Sequence, residues 1–314
     1  MKSRLSIISL TDLLLLLMIV LWAINFSVVK NVISGDLRPI AFTALRFTLA
    51  SIGLLPLLLH RSATDQPLTR REVLKIGGLG LLGNSLYQVM FIIGIDNTSP
   101  TNSALILASS PIFVAVIGAL FKLEKLSAPA YFGIALSFVG IGLVVFGNAP
   151  AAIEVGKSNL AGDVLSLGAA LAWGAYTVFA SPLVQRHSSI RVTALSISIG
   201  TLPLVLIATP TFLITDWSKV GLNSWAGVAY SGLLAIALGY VIWNRSVQQL
   251  GSTRTAAYSN LNPILTAVAA FFLRGDPLTI FHAIGAAVIL TGIMLTRRGR
   301  SQVAVEIEPE PIEG

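Results

Sequence analysis

The chain contains ten apolar runs, and the last five repeat the first five. Moved forward from 78–147 to 230–299, a shift of 152 positions, the first copy lies on the second without a gap. Gly80-Leu81-Leu82 falls on Gly232-Leu233-Leu234, Thr101 on Thr253, Ala104 on Ala256 and Pro111 on Pro263. Glu124 then meets Asp276, Leu126 meets Leu278, Gly133 meets Gly285 and Gly140 meets Gly292. At a shift of 151, Asp12 meets Asp163 and Trp22 meets Trp173. A unit of five membrane-crossing helices is odd, so its copy must enter the bilayer from the opposite side. Inverted repeats of this kind build many secondary transporters, with the substrate site near the midplane between the halves.

The apolar runs lie at about 12–32, 39–59, 73–95, 101–121, 128–147, 162–185, 192–214, 224–248, 253–273 and 278–296. Each approaches the ~20 residues that a helix rising 1.5 Å per residue needs to cross a ~30 Å hydrocarbon core. Hydrophobic residues make up 54% of the chain and charged ones 11%, which leaves too little polar surface for a soluble domain. The longest connections, about 60–71 and 148–161, leave no room for an extra domain. The sequence therefore predicts an all-α integral membrane protein of ten transmembrane helices. Residues 1–150 form the first five-helix repeat, 151–298 the second, and 299–314 a cytoplasmic tail. That tail is expected to be disordered, because its glutamates at 306, 308, 310 and 313 and its two prolines cannot bury a core. The basic start, Met1-Lys2-Ser3-Arg4, is not read as a secretory signal: the apolar run that follows is long, lacks a small-x-small cleavage pattern, and has a counterpart at 163–182.

The net charge of +7 is spread in a way that argues against nucleic acid as a partner. With the N-terminus in the cytoplasm, cytoplasmic ends carry Lys2, Arg4, Arg61, Arg70, Arg71, Lys75, Lys122, Lys125, Arg186, Arg191, Arg254, Arg297, Arg298 and Arg300. The other side carries only Arg38, Lys157, Lys219 and Arg274. This is the positive-inside bias, and it predicts a multi-pass protein of a bacterial inner membrane with both termini cytoplasmic.

Trp22-Ala23-Ile24-Asn25-Phe26 ending at Lys30, Pro39 followed by Arg46-Phe47-Thr48-Leu49-Ala50, Ser110-Pro111-Ile112-Phe113, and Leu123-Glu124-Lys125-Leu126 with glycines at 133, 140 and 142 form a recognisable set. The second copy adds Tyr240-Val241-Ile242-Trp243, Asn262-Pro263-Ile264 and Gly285/Gly292. Over about residues 10–297 the chain resembles the EamA type of the drug/metabolite transporter superfamily. It departs from that pattern at Asp276, where the family usually shows a glutamate. The resemblance implies export or exchange of small metabolites, often amino acids, through a cavity lined by both halves, and it leaves the substrate open.

Asp12, Glu72, Glu124, Asp163 and Asp276 lie near helix starts, where the dipole and unpaired N–H groups favour negative charge. Thr69-Arg70-Arg71-Glu72 reads as a capping box. The remaining acids fall in loops or the tail, so no carboxylate is expected at mid-membrane and a proton relay has no obvious occupant. Three bases lie within apolar runs. Lys30 and Arg245 read as interfacial anchors. Arg46, about seven residues into the second run and so roughly 10 Å deep, has two readings. Either its head reaches the interface or neighbouring carbonyls, or its planar fork faces the cavity and holds a substrate carboxylate. His282 reads as a packing residue.

Tyr240, Trp243 and Asn244 share one helix face by their i, i+3, i+4 spacing, and Gln88 and Phe91 occupy the matching positions of the third run, with Asn84 one turn earlier. This stripe reads either as cavity lining or as interhelical packing. Ser110, Tyr258 and Asn262 join it because they flank Pro111 and Pro263, and a proline frees a carbonyl one turn back. Asn25, Trp173 and Tyr176 complete the substrate-binding candidates. The pattern Gly78-Leu79-Gly80-Leu81-Leu82-Gly83 matches a dinucleotide fingerprint but lies inside an apolar helix, so it reads as close helix packing. The sequence offers no catalytic set, metal ligands or cofactor motif. The expected protein is not an enzyme but a secondary transporter, an exporter of a small polar metabolite such as amino acids, working by alternating access. An organic-phosphate or nucleotide-sugar exchanger and a non-transporting membrane receptor or assembly protein are the alternatives. The expected partners are a small-molecule substrate, the lipid bilayer and, in a homodimer, a second copy of the chain.

Overall fold

The computed structural model describes residues 9–33, 35–59, 67–97, 106–146, 160–274, 280–298 and 302–303. The described residues are almost wholly helical: α1 (Leu10–Ile33), α2 (Pro39–Leu59), α3 (Arg70–Gly80), α4 (Tyr87–Asn97), α5 (Ser110–Leu120), α6 (Ala128–Phe146), α7 (Leu160–Arg186), α8 (Ser189–Ile214), α9 (Leu222–Ala229), α10 (Gly239–Leu250), α11 (Ser252–Tyr258), α12 (Asn262–Arg274) and α13 (Ile280–Arg298). Two-residue strands, β1 (Glu124–Lys125) and β2 (Gln302–Val303), pair antiparallel. Among the described residues, six stretches are long and apolar enough to cross a membrane: Leu10–Ile33, Pro39–Leu58, Arg70–Gly94, Ala161–Arg186, Ser189–Ile214 and Leu222–Leu250. Shorter apolar helices lie at Ser110–Leu120, Ala128–Leu143 and Ala283–Thr296. The periphery carries bare leucines such as Leu74, Leu206 and Leu213, 73–81% exposed, a surface suited to hydrocarbon.

Two kinds of irregularity recur at matching positions. The wide i→i+5 turns of a π-helix join α3 to α4 over Leu81–Leu86 and α9 to α10 over Tyr230–Leu238. Shifted by 152, the first stretch falls on 233–238, inside the second. Likewise the chain turns at 108–109 ahead of α5 and tightens into a 3₁₀ turn at Ser259–Leu261 ahead of α12. Pro111 and Pro263 sit in the first turns of the helices that resume, where a missing N–H costs nothing.

Glycine sets where helices touch. A Cβ at Gly133 would stand 2.5 Å from the carbonyl of Gly292, and one at Gly292 would stand 2.5 Å from the carbonyl of Gly133, so α6 and α13 meet backbone to backbone. Between them Ser137 Oγ donates to the Ile289 carbonyl at 3.5 Å, a contact between residues 152 apart. Gly80 of α3 lies against Ser196 and Gly200 of α8 in the same manner. Of the apparent dinucleotide fingerprint, Gly80 and Gly83 thus pack closely, the latter against Tyr176, while a Cβ on Gly78 would meet nothing within 4 Å.

The expected capping box is present: Glu72 N donates to Thr69 Oγ1 at 3.2 Å, and Thr69 N to Glu72 Oε2 at 2.9 Å. Glu72 Oε1 also lies 3.0 Å from His187 Nε2 in the α7–α8 turn. Asp12 takes Ser9 N at 2.8 Å, as a helix-start carboxylate should, yet it is buried and accepts the Tyr258 hydroxyl at 2.6 Å. Arg245 is exposed, as an anchor requires. The side chains of Lys30 and His282, the residues Thr101, Ala104 and Asp276, and the connections 60–66 and 147–159 lie outside the described residues.

Candidate functional site

The largest apolar cluster surrounds Trp173, Tyr176, Tyr240 and Trp243 and reaches Leu15, Met18 and Phe47. Its centre is aromatic. Trp22, Trp173 and Trp243 have ring centroids 5.3–5.8 Å apart. Tyr240 packs 5.2 Å from Trp173, Tyr176 stacks on Trp173 at 5.3 Å, and Tyr87 lies 5.2 Å from Trp173 and 5.8 Å from Phe91. Among the described residues, two of the three indoles have hydrogen-bond acceptors. Trp22 Nε1 donates to the Ala235 carbonyl at 2.8 Å, within the second wide-turn stretch, and Trp243 Nε1 donates to Thr177 Oγ1 at 3.2 Å. Trp22 fits there because position 239 is glycine: a Cβ on Gly239 would stand 2.8 Å from its Nε1. The matching position in the other copy is Tyr87, whose ring fills that space against Trp173.

Beside this cluster lies a fully internal cation. Arg46 is 2% exposed, flanked by the Phe42 and Phe47 rings at 5.2 and 5.9 Å. Its Nη2 donates to Gln88 Oε1 at 2.7 Å, and Gln88 Nε2 donates to the Tyr240 hydroxyl at 3.3 Å. Its Nε is buried with no hydrogen-bond partner among the described residues. No described carboxylate pairs with it. A guanidinium taken out of water without a counter-ion costs roughly several kcal/mol, so this arrangement is held at the expense of stability. The Arg46 head neither reaches the surface nor bonds a helix carbonyl among the described residues.

Of the sequence-derived candidates, Arg46, Gln88 and Tyr240 form this chain, and Phe91, Trp173, Tyr176 and Trp243 belong to the adjoining aromatic cluster. Asn84 is fully buried in the first wide-turn stretch, facing Gly200 of α8, with neither side-chain oxygen nor nitrogen hydrogen-bonded among the described residues. Asn25 accepts from the Ser231 hydroxyl, while Ser110 Oγ closes its own turn on the Leu107 carbonyl at 2.7 Å. Asn262 heads α12 with its Oδ1 buried and unpaired among the described residues. Tyr258 is directed elsewhere, toward Asp12. Sequence reasoning left out Trp22, Tyr87 and Thr177. The first was within reach, since Trp22 pairs with Trp173 across the repeat. Asn244 donates to Tyr176 at 2.8 Å and Thr193 at 2.8 Å, tying α10 to α7 and α8.

The profile of the EamA-like transporter family matches residues 9–146 and again residues 160–298. The chain is 25% identical over 270 residues to the "Uncharacterized transporter YyaM" of Bacillus subtilis, covering 86% of this chain and 88% of that protein. It is 29% identical over 296 residues to an "Uncharacterized transporter" of Archaeoglobus fulgidus, covering 93% and 99%. It is 26% identical over 291 residues to the "Probable terminal-alkyne amino-acid exporter" of Streptantibioticus cattleyicolor, covering 90% and 92%. One crystal structure superposes with a TM-score of 0.75 at 17% identity, covering 91% of this chain and 95% of that one, which establishes a shared fold. With both copies of the repeat matched, the chain belongs to the EamA-like transporter family and is an integral membrane transporter.

Proposed function

We propose that the protein is a ten-span secondary transporter of two inverted repeats, which exports a small carboxylate-bearing metabolite by alternating access, with amino acids as the best match. Arg46 carries this reading. A buried cation whose one hydrogen-bonded partner among the described residues is a neutral amide is poised for an anion, and its planar fork suits a carboxylate. A polyphosphate or nucleotide-sugar ligand would call for more than one guanidinium. The amino-acid exporter among the relatives supports the same chemistry.

Alternating access is supported by contacts between matching residues. Trp22 touches Trp173, Gln88 touches Tyr240 and Ser137 touches Ile289. Residues related by a two-fold axis meet their own counterparts only on that axis, and these three contacts are what such an axis would produce. Helices interrupted at matching positions in both copies are the usual frame of a midplane site. Reconstituted protein should release a labelled mixture of the proteinogenic amino acids from loaded proteoliposomes, and Arg46→Met should reduce that release while preserving folded yield. A broad metabolite panel without flux would favour a receptor or assembly role instead.

A further inference from the structure

Arginine can only donate hydrogen bonds. The atom of Gln88 that faces Arg46 at 2.7 Å is therefore its oxygen, which turns the amide nitrogen toward Tyr240 at 3.3 Å. The Tyr240 oxygen accepts that bond. Its own proton points onward, and no acceptor takes it among the described residues. The three side chains thus form a one-way chain of donors running from the cation to the phenol. Bonds in such a chain polarise one another in the same sense. Arg46, Gln88 and Tyr240 are 2%, 5% and 4% exposed, so water does not screen them.

We propose that Gln88 determines the charge preference of the site: as a neutral partner it leaves the positive charge of Arg46 available, and by orienting Tyr240 it supplies a second donor to the substrate's acidic group. The inference rests on the anion-binding reading of Arg46 given above. An amide is the side chain that meets both needs. A glutamate here would have the same size and reach, but it would accept from Arg46 and from Tyr240 together. The cation would then have a resident counter-ion and the phenol proton would point inward. The site would be satisfied before any substrate arrived.

The sign of the charge at position 88 therefore governs stability and transport in opposite directions. Two variants separate this from a structural role. Gln88→Glu supplies the missing counter-ion, so the ligand-free protein in detergent should melt above the wild type. Gln88→Met breaks the donor chain without neutralising Arg46 and should melt below it. Efflux of the labelled amino-acid mixture should rank the other way at its ends. Wild type is highest and Gln88→Met is reduced about 10-fold, because a charge-assisted bond is lost. Gln88→Glu is reduced at least about 100-fold, through KM rather than kcat. Tyr240→Phe should resemble Gln88→Met in flux while melting near the wild type.

If Gln88→Glu melts below Gln88→Met, or transports as well as the wild type, the inference is overturned. Failure of the underlying reading has a different signature: Arg46→Met would leave efflux unchanged, while the melting order of the Gln88 variants would still report whether the cation lacks a partner.

Discussion

Gly78 and Gly80 are two residues apart on α3, in the same helix and of the same type, yet the same substitution should affect them in opposite ways. A methyl group built on Gly78 meets nothing within 4 Å. Gly78→Ala therefore only removes glycine's backbone freedom, a gain of about 0.5–1 kcal/mol. On Gly80 the same methyl would stand 2.3 Å from the Ser196 carbonyl and 3.1 Å from Gly200 N. Both obstacles are backbone, so no rotamer change relieves them and α3 must withdraw from α8. Overpacking typically costs about 1–3 kcal/mol, with the rigid case at the upper end. Subtracting the propensity gain leaves Gly80→Ala about 1–2 kcal/mol below the wild type, and about 2–3 kcal/mol below Gly78→Ala. Melting in detergent, followed by tryptophan fluorescence or by size-exclusion of heated samples, should separate the pair by several degrees. Gly200→Ala, whose methyl would lie 2.4 Å from the Gly80 carbonyl, should cost as much alone. Added to Gly80→Ala it should cost less, because the helices have already parted. If Gly80→Ala melts with Gly78→Ala, the seam between α3 and α8 is not where the structure puts it.

Other tests follow from the charge pattern and the interior. The chain has no cysteine, so single cysteines report topology cleanly: on intact cells an impermeant maleimide should label Ser218→Cys and spare Ser62→Cys, and the reverse pattern would refute the charge-bias topology. Trp243 is fully buried with its N–H bonded to Thr177, so Trp243→Ala should cost about 3–5 kcal/mol in stability; recovery at wild-type yield with wild-type melting would show that its pocket is a ligand cavity and not a packed core. Flux should follow the substrate gradient, and accumulation driven solely by an imposed pH gradient and abolished by Asp12→Asn would contradict this by assigning the relay to the one buried carboxylate described here.

Where an apolar run is long and uninterrupted its helix was legible: α2, α6 and α7 lie within two residues of their expected limits. The stripe on α10 was legible for a related reason, since i, i+3, i+4 spacing fixes a shared face wherever the helix sits. What could not be read was whom each face meets. Asp12 had the signature of a helix-start carboxylate and has that role, but its burial against Tyr258 depends on α11, 246 residues away. The turn of the Tyr258 hydroxyl toward Asp12 was equally hidden, because flanking a proline says where a helix breaks and nothing about where a hydroxyl points. Trp22 had no local signal beyond its match to Trp173.

The positions that the repeat pairs unequally carry the most information. On the proposed two-fold axis a residue meets its own counterpart, so identical side chains must be self-complementary. Two glutamines could satisfy each other there, but they would form a closed pair with no net direction. Gln88 opposite Tyr240 breaks that closure and gives the contact a donor end and an acceptor end. Gly239 opposite Tyr87 breaks it again a helical step away, admitting the Trp22 indole on one side and filling the space with a phenol on the other. Both departures from symmetry adjoin Arg46 or Trp173, and Arg46 itself has no basic counterpart in the second copy, where a shift of 151 or 152 meets Ile197 or Ser198. A symmetric frame can rock between two equivalent states. A substrate that is itself asymmetric needs an asymmetric site, and the sequence of the second copy diverges from the first at the residues that surround the buried charge.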